Sequence, residues 1–222
     1  MLLENIVTQN CLHRLTYQIL YTMKKGIIVV IIIVAIGLLI GFYISGMFNS
    51  LVTLDENVNA QWANVESSYQ RRADLIPNIV STAKGYAEFE QNTLIKVTEA
   101  RSKATSIQID PSNITPAQLK QFQQAQSGLT SALSRLLATF ERYPDLKANE
   151  NFKELINELE RTENRINVER NRFNETAKLL NQEIRKFPTN MIAGMFGFEK
   201  RAYFEADEGT EDAPKVEFDF GS

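Results

Sequence analysis

Carboxylates and guanidinium groups at helical spacing are the side chains of this chain that have the types and spacing to do chemistry. Glu154, Glu158, Glu160, Arg161, Glu163, Arg165, Glu169, Arg170 and Arg172 follow one another within a single predicted helix. Acids three or four residues apart share a helix face, and a pair whose pKa values are driven apart can divide acid and base roles in a hydrolysis. The same run also describes a solvated, salt-bridged face, and its alternating sign favours that reading. A second cluster, Arg71, Arg72 and Asp74 beside Pro77, sets charge against an apolar stripe. It fits a binding or coupling site at a helix bend. It also fits an ion-pair network, with Glu163 or Arg165 as partner, that fixes the packing of two helices. The second reading is favoured because buried charge must be paired.

What is missing narrows the chemistry further. The only Cys and the only His are Cys11 and His13. Everything after residue 13 therefore lacks thiolate, disulfide and imidazole. That leaves no Cys-His or Ser-His-Asp nucleophile, no Cys/His zinc site, no His-held haem and no Glu-x-x-His di-iron bundle. No catalytic, cofactor-binding or metal-ligating residue is assigned. Of 24 Lys/Arg and 27 Asp/Glu, three and one precede residue 26, which leaves 21 and 26 beyond it. Eight of those acids and three of those bases stand in 199–222, so the stretch before them is balanced. Nothing forms the basic stripe that nucleic acid requires.

These groups must be positioned by helices. From Gly26 to Leu54 no residue carries a formal charge, and Ser45 is the first strongly polar side chain. About 20 apolar residues cross a bilayer as a helix, so Gly26 to Phe48 reads as a membrane span. Arg14, Lys24 and Lys25 precede it and no further Lys or Arg occurs until Arg71, which predicts the N-terminus inside and the bulk of the chain outside the cytoplasm. A cleaved signal peptide is the competing reading, but Gly46, Met47 and Phe48 offer no small-x-small site. Two readings of residues 1–22 stand: a short cytoplasmic tail, or a product of an upstream start with the working chain beginning at Met23.

Beyond the span, Leu51, Leu54, Val58, Trp62, Val65, Tyr69, Ile76, Ile79 and Ala83 recur at steps of three and four, with Arg72 filling the one gap. Pro77 predicts a bend near 73–77 rather than an end, and Lys84-Gly85 a stop. A second helix is expected over 90–106. A third starts at Thr115-Pro116-Ala117-Gln118, an N-cap, a proline at N1 and a capping-box partner, and stops at Tyr143-Pro144. Asn149 caps a fourth that runs to about 186. No strand signal occurs. The expected fold is all-α: 23–48 a transmembrane signal-anchor, 49–198 an up-and-down antiparallel four-helix bundle, and 199–222 an acidic extended tail.

Phe187 to Phe198 stands apart, with Met191, Ile192, Met195, Phe196 and Phe198 around two glycines. It reads as a lid packing on Val52, Leu54 and Val58, as an interfacial contact with lipid or a neighbouring subunit, or as both. Met191, Met195, Phe196 and Phe198 are the candidate interaction surface. The tail beyond, with Phe218-Asp219-Phe220, is expected to dock as a linear peptide or to stay loose.

Several motifs in order resemble the bacterial LemA family. They are Gln70-Arg71-Arg72-Ala73-Asp74-Leu75-Ile76-Pro77-Asn78, Lys84-Gly85-Tyr86, Glu99-Ala100-Arg101, Tyr143-Pro144-Asp145-Leu146-Lys147-Ala148-Asn149, Glu163-Asn164-Arg165-Ile166, Phe187-Pro188-Thr189-Asn190 and Tyr203-Phe204. The likeness covers about 50–220. It implies an N-terminal membrane helix with a helical-bundle domain and a link to membrane remodelling or organelle formation, and it carries over no catalytic residue. The expected protein is a non-enzymatic scaffold or interaction protein anchored in the inner membrane through Gly26 to Phe48. It binds a protein partner or itself, and takes no cofactor, nucleic acid or small-molecule substrate. The alternative is a carboxylate-dependent hydrolase acting on envelope material, which needs a cleft where acids of raised pKa converge.

Overall fold

The computed structural model describes residues 2–85 and 90–205, with side chains at residue 28 and from residue 30 onward. The tail motif Phe218-Asp219-Phe220 and the side chains of Cys11 and His13 lie outside the described residues. The described elements are all helical, and the chain divides into two units, Met1–Ser50 and Leu51–Ser222.

The first unit is the N-terminal part of helix α1 (Leu2–Lys84). Its apolar side chains are uncovered: Leu38 is 70% and Phe42 85% exposed. A core helix of a soluble domain would bury such residues. This helix is long and apolar enough to cross a membrane. Ser45 returns its hydroxyl to the carbonyl of Gly41 at 2.9 Å, so its polar group is satisfied within the helix.

The second unit comprises the rest of α1, then α2 (Gln91–Thr105), α3 (Pro116–Phe140), α4 (Pro144–Ala148), α5 (Glu150–Arg185) and α6 (Thr189–Phe196). Local chemistry explains the boundaries. Thr115 and Gln118 close a full capping box around the start of α3, with Pro116 at the first turn. The side chain of Asn149 accepts from Phe152 N at 2.9 Å and caps α5. Pro144 ends α3 but also starts the single turn of α4, which places Leu146 in the core. Asp110 accepts from both the backbone and the hydroxyl of Ser112 and folds 111–113 into a 3₁₀ turn. Gly197, at φ 77°, closes α6 in a left-handed conformation that an L side chain resists.

The apolar stripes meet as their periodicity requires. Ile76, Ile79, Leu94, Val97, Leu129, Leu133, Leu136, Phe140, Phe152 and Leu159 share one core, contributed by α1, α2, α3 and α5. Next to it Trp62, 2% exposed, stacks on Phe204 at 5.9 Å and meets Phe173 and Phe122 at 5.5 and 5.6 Å. Pairings between elements give direction. Gln61, Arg72 and Arg71 of α1 reach Glu169, Glu163 and Glu158 of α5, so these two helices run antiparallel. Tyr69 of α1 packs on Phe122 of α3, and Arg72 bonds Gln126 and Thr130, so α1 and α3 run parallel.

Residues 199–205 form no helix and lie against α5. Asn181 exchanges two hydrogen bonds with the main chain of Arg201, and Asn174 does the same with Phe204. Arg201 also pairs with Asp55 at 2.7 Å.

Candidate functional site

Arg72 sits where the helices come closest to sharing one polar point. It occupies a position in the apolar stripe of α1 and is 1% exposed. A buried guanidinium must find acceptors on several sides, and α3 and α5 supply them. Nη1 donates to Thr130 Oγ1 of α3 at 2.9 Å and to Glu163 Oε1 of α5 at 2.7 Å. Nη2 donates to Gln126 Oε1 of α3 at 2.5 Å. Gln126 in turn donates from Nε2 to the carbonyl of Ala104, the last-turn region of α2, at 3.3 Å. One network therefore links α1, α2, α3 and α5. The Tyr69 ring lies 5.2 Å from the guanidinium carbon, within cation–π range. Arg72 Nε has no partner among the described residues.

The other members of the sequence cluster part from it. Arg71 is exposed and binds Glu158 of α5 on the surface. Asp74 is exposed and accepts from Gln70 of the same helix at 2.8 Å. Pro77 is exposed within α1, and the helix continues past it to Lys84. A proline leaves the carbonyl four residues back without its helical donor. That residue is Ala73, and its oxygen accepts from Arg101 Nε of α2 at 2.6 Å.

A cavity of about 400 Å³ opens beside Arg72 between α3 and α5, with Gln123, Ser127 and Ser131 on one wall and Glu163, Asn167 and Arg170 on the other. Among the described residues its one carboxylate, Glu163, is committed to Arg72. A shallower depression holds two carboxylates, Glu154 and Glu158, one turn apart. Hydrogen bonds from Arg71 hold Glu158 below the ordinary carboxylate range. Asp110 is likewise lowered, by its bonds from Ser112. A general acid at neutral pH needs the opposite shift. Among the described residues, no three His, Cys, Asp or Glu side chains converge as a metal site would require.

The second candidate surface splits along α6. Ile192 and Ala193 face inward and are buried, whereas Met191, Met195 and Phe196 are 63%, 75% and 53% exposed. Phe198 is half-buried beside Asp55 and Arg201. Phe187, four residues before Met191, is also exposed.

Sequence reasoning named Arg101 only within the Glu99-Ala100-Arg101 motif, without a role, and missed Gln126, Thr130, Asn174 and Asn181. Pro77 itself signals a need for a donor at Ala73, although it does not say which residue supplies it. The two asparagines stand seven apart, and Asn167 seven before them, a spacing visible in the sequence.

Comparison with known proteins gives consistent matches. The profile of the LemA family matches residues 61–218. Protein LemA of Metamycoplasma hominis is 28% identical over 185 residues, covering 83% of this chain and 80% of that protein. Magnetosome protein MamQ 2 of Paramagnetospirillum magneticum is 27% identical over 177 residues, 71% of this chain and 64% of the relative. Magnetosome protein MamQ of Magnetospirillum gryphiswaldense is 26% identical over 176 residues, again 71% and 64%. The chain thus spans less than two thirds of the length of the MamQ relatives.

Proposed function

Because the chain belongs to the LemA family, we propose that it is a non-enzymatic, membrane-anchored scaffold of the bacterial envelope, acting in membrane organisation or remodelling. The domain from 49 to 198 is read as an up-and-down four-helix bundle, supported by the antiparallel α1–α5 pairing and the shared core. Its relatives among magnetosome proteins support a membrane-linked role. Anchoring through Gly26 to Phe48, with the N-terminus inside and the bundle outside the cytoplasm, follows the asymmetry of Lys and Arg. A phosphatase fused after Ser222 is then active; an inactive fusion reverses the orientation.

The observation that carries the scaffold reading is the outer face of α6. Met191 and Met195 stand one turn apart and, with Phe196, leave an apolar stripe exposed, and Phe187 is exposed just ahead of the helix. Such a stripe on a folded domain marks a contact surface. The occupant proposed is a second copy of this chain, since a membrane confines all copies to one plane and raises their effective concentration. Hydrolysis is disfavoured by the lowered Glu158 and by the engagement of Glu163 with Arg72.

The test replaces Met195→Asp and Phe196→Asp in the full chain. Oligomers of wild type in detergent or membranes should dissolve while the melting temperature holds. Unfolding of the variants would make these residues part of the core. A monomeric wild type at native density in the bilayer would remove self-association.

A further inference from the structure

Residues 201–205 are held against α5 by a pattern that the helix extends beyond them. Asn181 Nδ2 donates to the carbonyl of Arg201 and its Oδ1 accepts from Arg201 N, both at 2.8 Å. Asn174 repeats the arrangement with Phe204, at 3.0 and 2.8 Å. Each carboxamide thus satisfies both polar groups of one main-chain residue, whatever that residue's side chain. Along α5 the two clamps stand seven residues apart, about 10.5 Å. Along the strand they stand three apart, about 9–10 Å of extended chain. The two directions are opposed, since the strand rises in number as the helix falls. Arg201 and Phe204 are both buried and Tyr203 between them is exposed, which is the side-chain repeat of a strand with three residues per turn. Helix and strand therefore keep step, and the next match pairs Asn167 with residue 207.

Asn167 has the setting that this match requires. It is exposed on α5, lines the cavity beside Arg72 and makes no hydrogen bond among the described residues. The heptad positions before and after the series are Glu160 and Pro188, neither of them a carboxamide. The series thus has three members, and residues 201–205 fill two. The carbonyl of Glu205 already reaches the walls of that cavity, where Gln123 of α3 donates to it at 3.2 Å and Arg170 of α5 at 2.8 Å. From there to residue 207 is about 6–7 Å of extended chain. The match to the LemA profile runs on to residue 218, past the strand.

We propose that Asn167 is the third clamp of this series and that the chain itself is its occupant, with residues 206–209 laid along the α3–α5 groove and the main chain of Asp207 on the Asn167 carboxamide. Asp207 stands three residues after Phe204, so its side chain falls to the groove side. There the hydroxyls of Ser127 and Ser131 can donate to a carboxylate. Such a strap ties α3 to α5 and withdraws the Arg72–Glu163 pair from solvent, which strengthens it. It is independent of the outer face of α6 and of self-association.

The experiment places spin labels on the full chain in detergent micelles, at Glu160→Cys and Glu208→Cys in a Cys11→Ser background, and reads their separation by pulsed dipolar resonance. Neither label touches the clamp: Glu160 is exposed, and residue 208 repeats the exposed position of Glu205. A single narrow, short distance is expected, because Glu160 stands one heptad ahead of Asn167. Asn167→Ala in the labelled chain should broaden it. A broad distribution before that change overturns the proposal, and so does a narrow one that survives it. Dilution with excess unlabelled chain tests for exchange of the segment between copies, and a distance lost on dilution overturns the proposal as well.

Melting curves of unlabelled protein give a second reading. Asn167→Ala should lower the melting temperature of the full chain by about 2–4 °C relative to the same change in a chain ending at Glu205, which keeps α1 to α6 and both filled clamps. The comparison cancels the helix preference of alanine, which is common to both. Asn167→Asp, which lacks the NH₂ donor, should act in the same direction. Equal shifts in the two chains overturn the proposal.

Discussion

Arg101 of α2 donates its Nε–H to the carbonyl oxygen of Ala73 at 2.6 Å, across the gap in the α1 hydrogen-bond ladder that Pro77 creates. Ala73 is buried, so water does not readily serve the orphaned oxygen. A guanidinium from the neighbouring helix replaces the missing backbone donor and ties α2 to α1 at that point.

Arg101→Met should therefore destabilise by about 1–3 kcal/mol, the cost of an unsatisfied buried acceptor. In a Pro77→Ala background the restored backbone N–H meets the carbonyl, and the same Arg101→Met change should cost clearly less. Chemical denaturation of the four variants gives the coupling directly. Equal losses in both backgrounds would show that Arg101 acts only through packing.

Arg72 and Glu163 should behave as one unit. Glu163 is a third exposed, so its share is moderated by solvent. Arg72→Met and Glu163→Gln should each cost about 2–4 kcal/mol, and the double variant less than their sum. Additive losses would mean that Gln126 and Thr130, not the ion pair, carry the network.

Trp62→Ala should cost about 3–5 kcal/mol, because the ring fills the junction of Phe122, Phe173 and Phe204. Trp62→Phe should cost much less. The indole N–H has no partner among the described residues, so its loss leaves no acceptor unmet. Because Trp62 is the single tryptophan, loss of helical circular dichroism in denaturant provides the reading for all three proteins.

Glu158 predicts a pH dependence. Hydrogen bonds from Arg71 lower its folded-state pKa below the ordinary value of about 4.5. A lowered folded pKa contributes stability that is complete above the unfolded value and is lost as pH falls from there through the folded value. Stability should thus decline on acidification below that ordinary value, and the decline should be shallower in Glu158→Gln. An identical slope in both proteins would assign the acid sensitivity to other carboxylates.

Much of the fold could be read from the residues because its rules are local. An uncharged run of the length of Gly26 to Phe48 has to be a helix with its apolar surface outward. Leu119, Phe122, Leu129, Leu133, Leu136 and Phe140 recur at helical spacing, and all are buried in α3. Thr115-Pro116 with Gln118, and Asn149, marked the helix starts through caps that act within three residues. Arg72 stood in an apolar stripe, and Glu163 was legible as a partner since an interior cation needs an anion.

What lay beyond reach were contacts between segments far apart in the chain. Nothing local to Arg101 points at Ala73, 28 residues away, and nothing near Phe204 predicts that its ring stacks on Trp62. The same holds for the face of α6. Its composition marked an apolar segment, but whether Ile192 or Met195 is covered depends on how α6 rolls against its neighbours. Asn167, Asn174 and Asn181 each look like solvated helix residues until the strand that binds two of them is in place. Helical periodicity and capping are decided by neighbours within one or two turns, so the sequence alone determines them. Pairing, roll and occupancy depend on which surfaces satisfy one another once the helices are packed, and only the tertiary structure decides that.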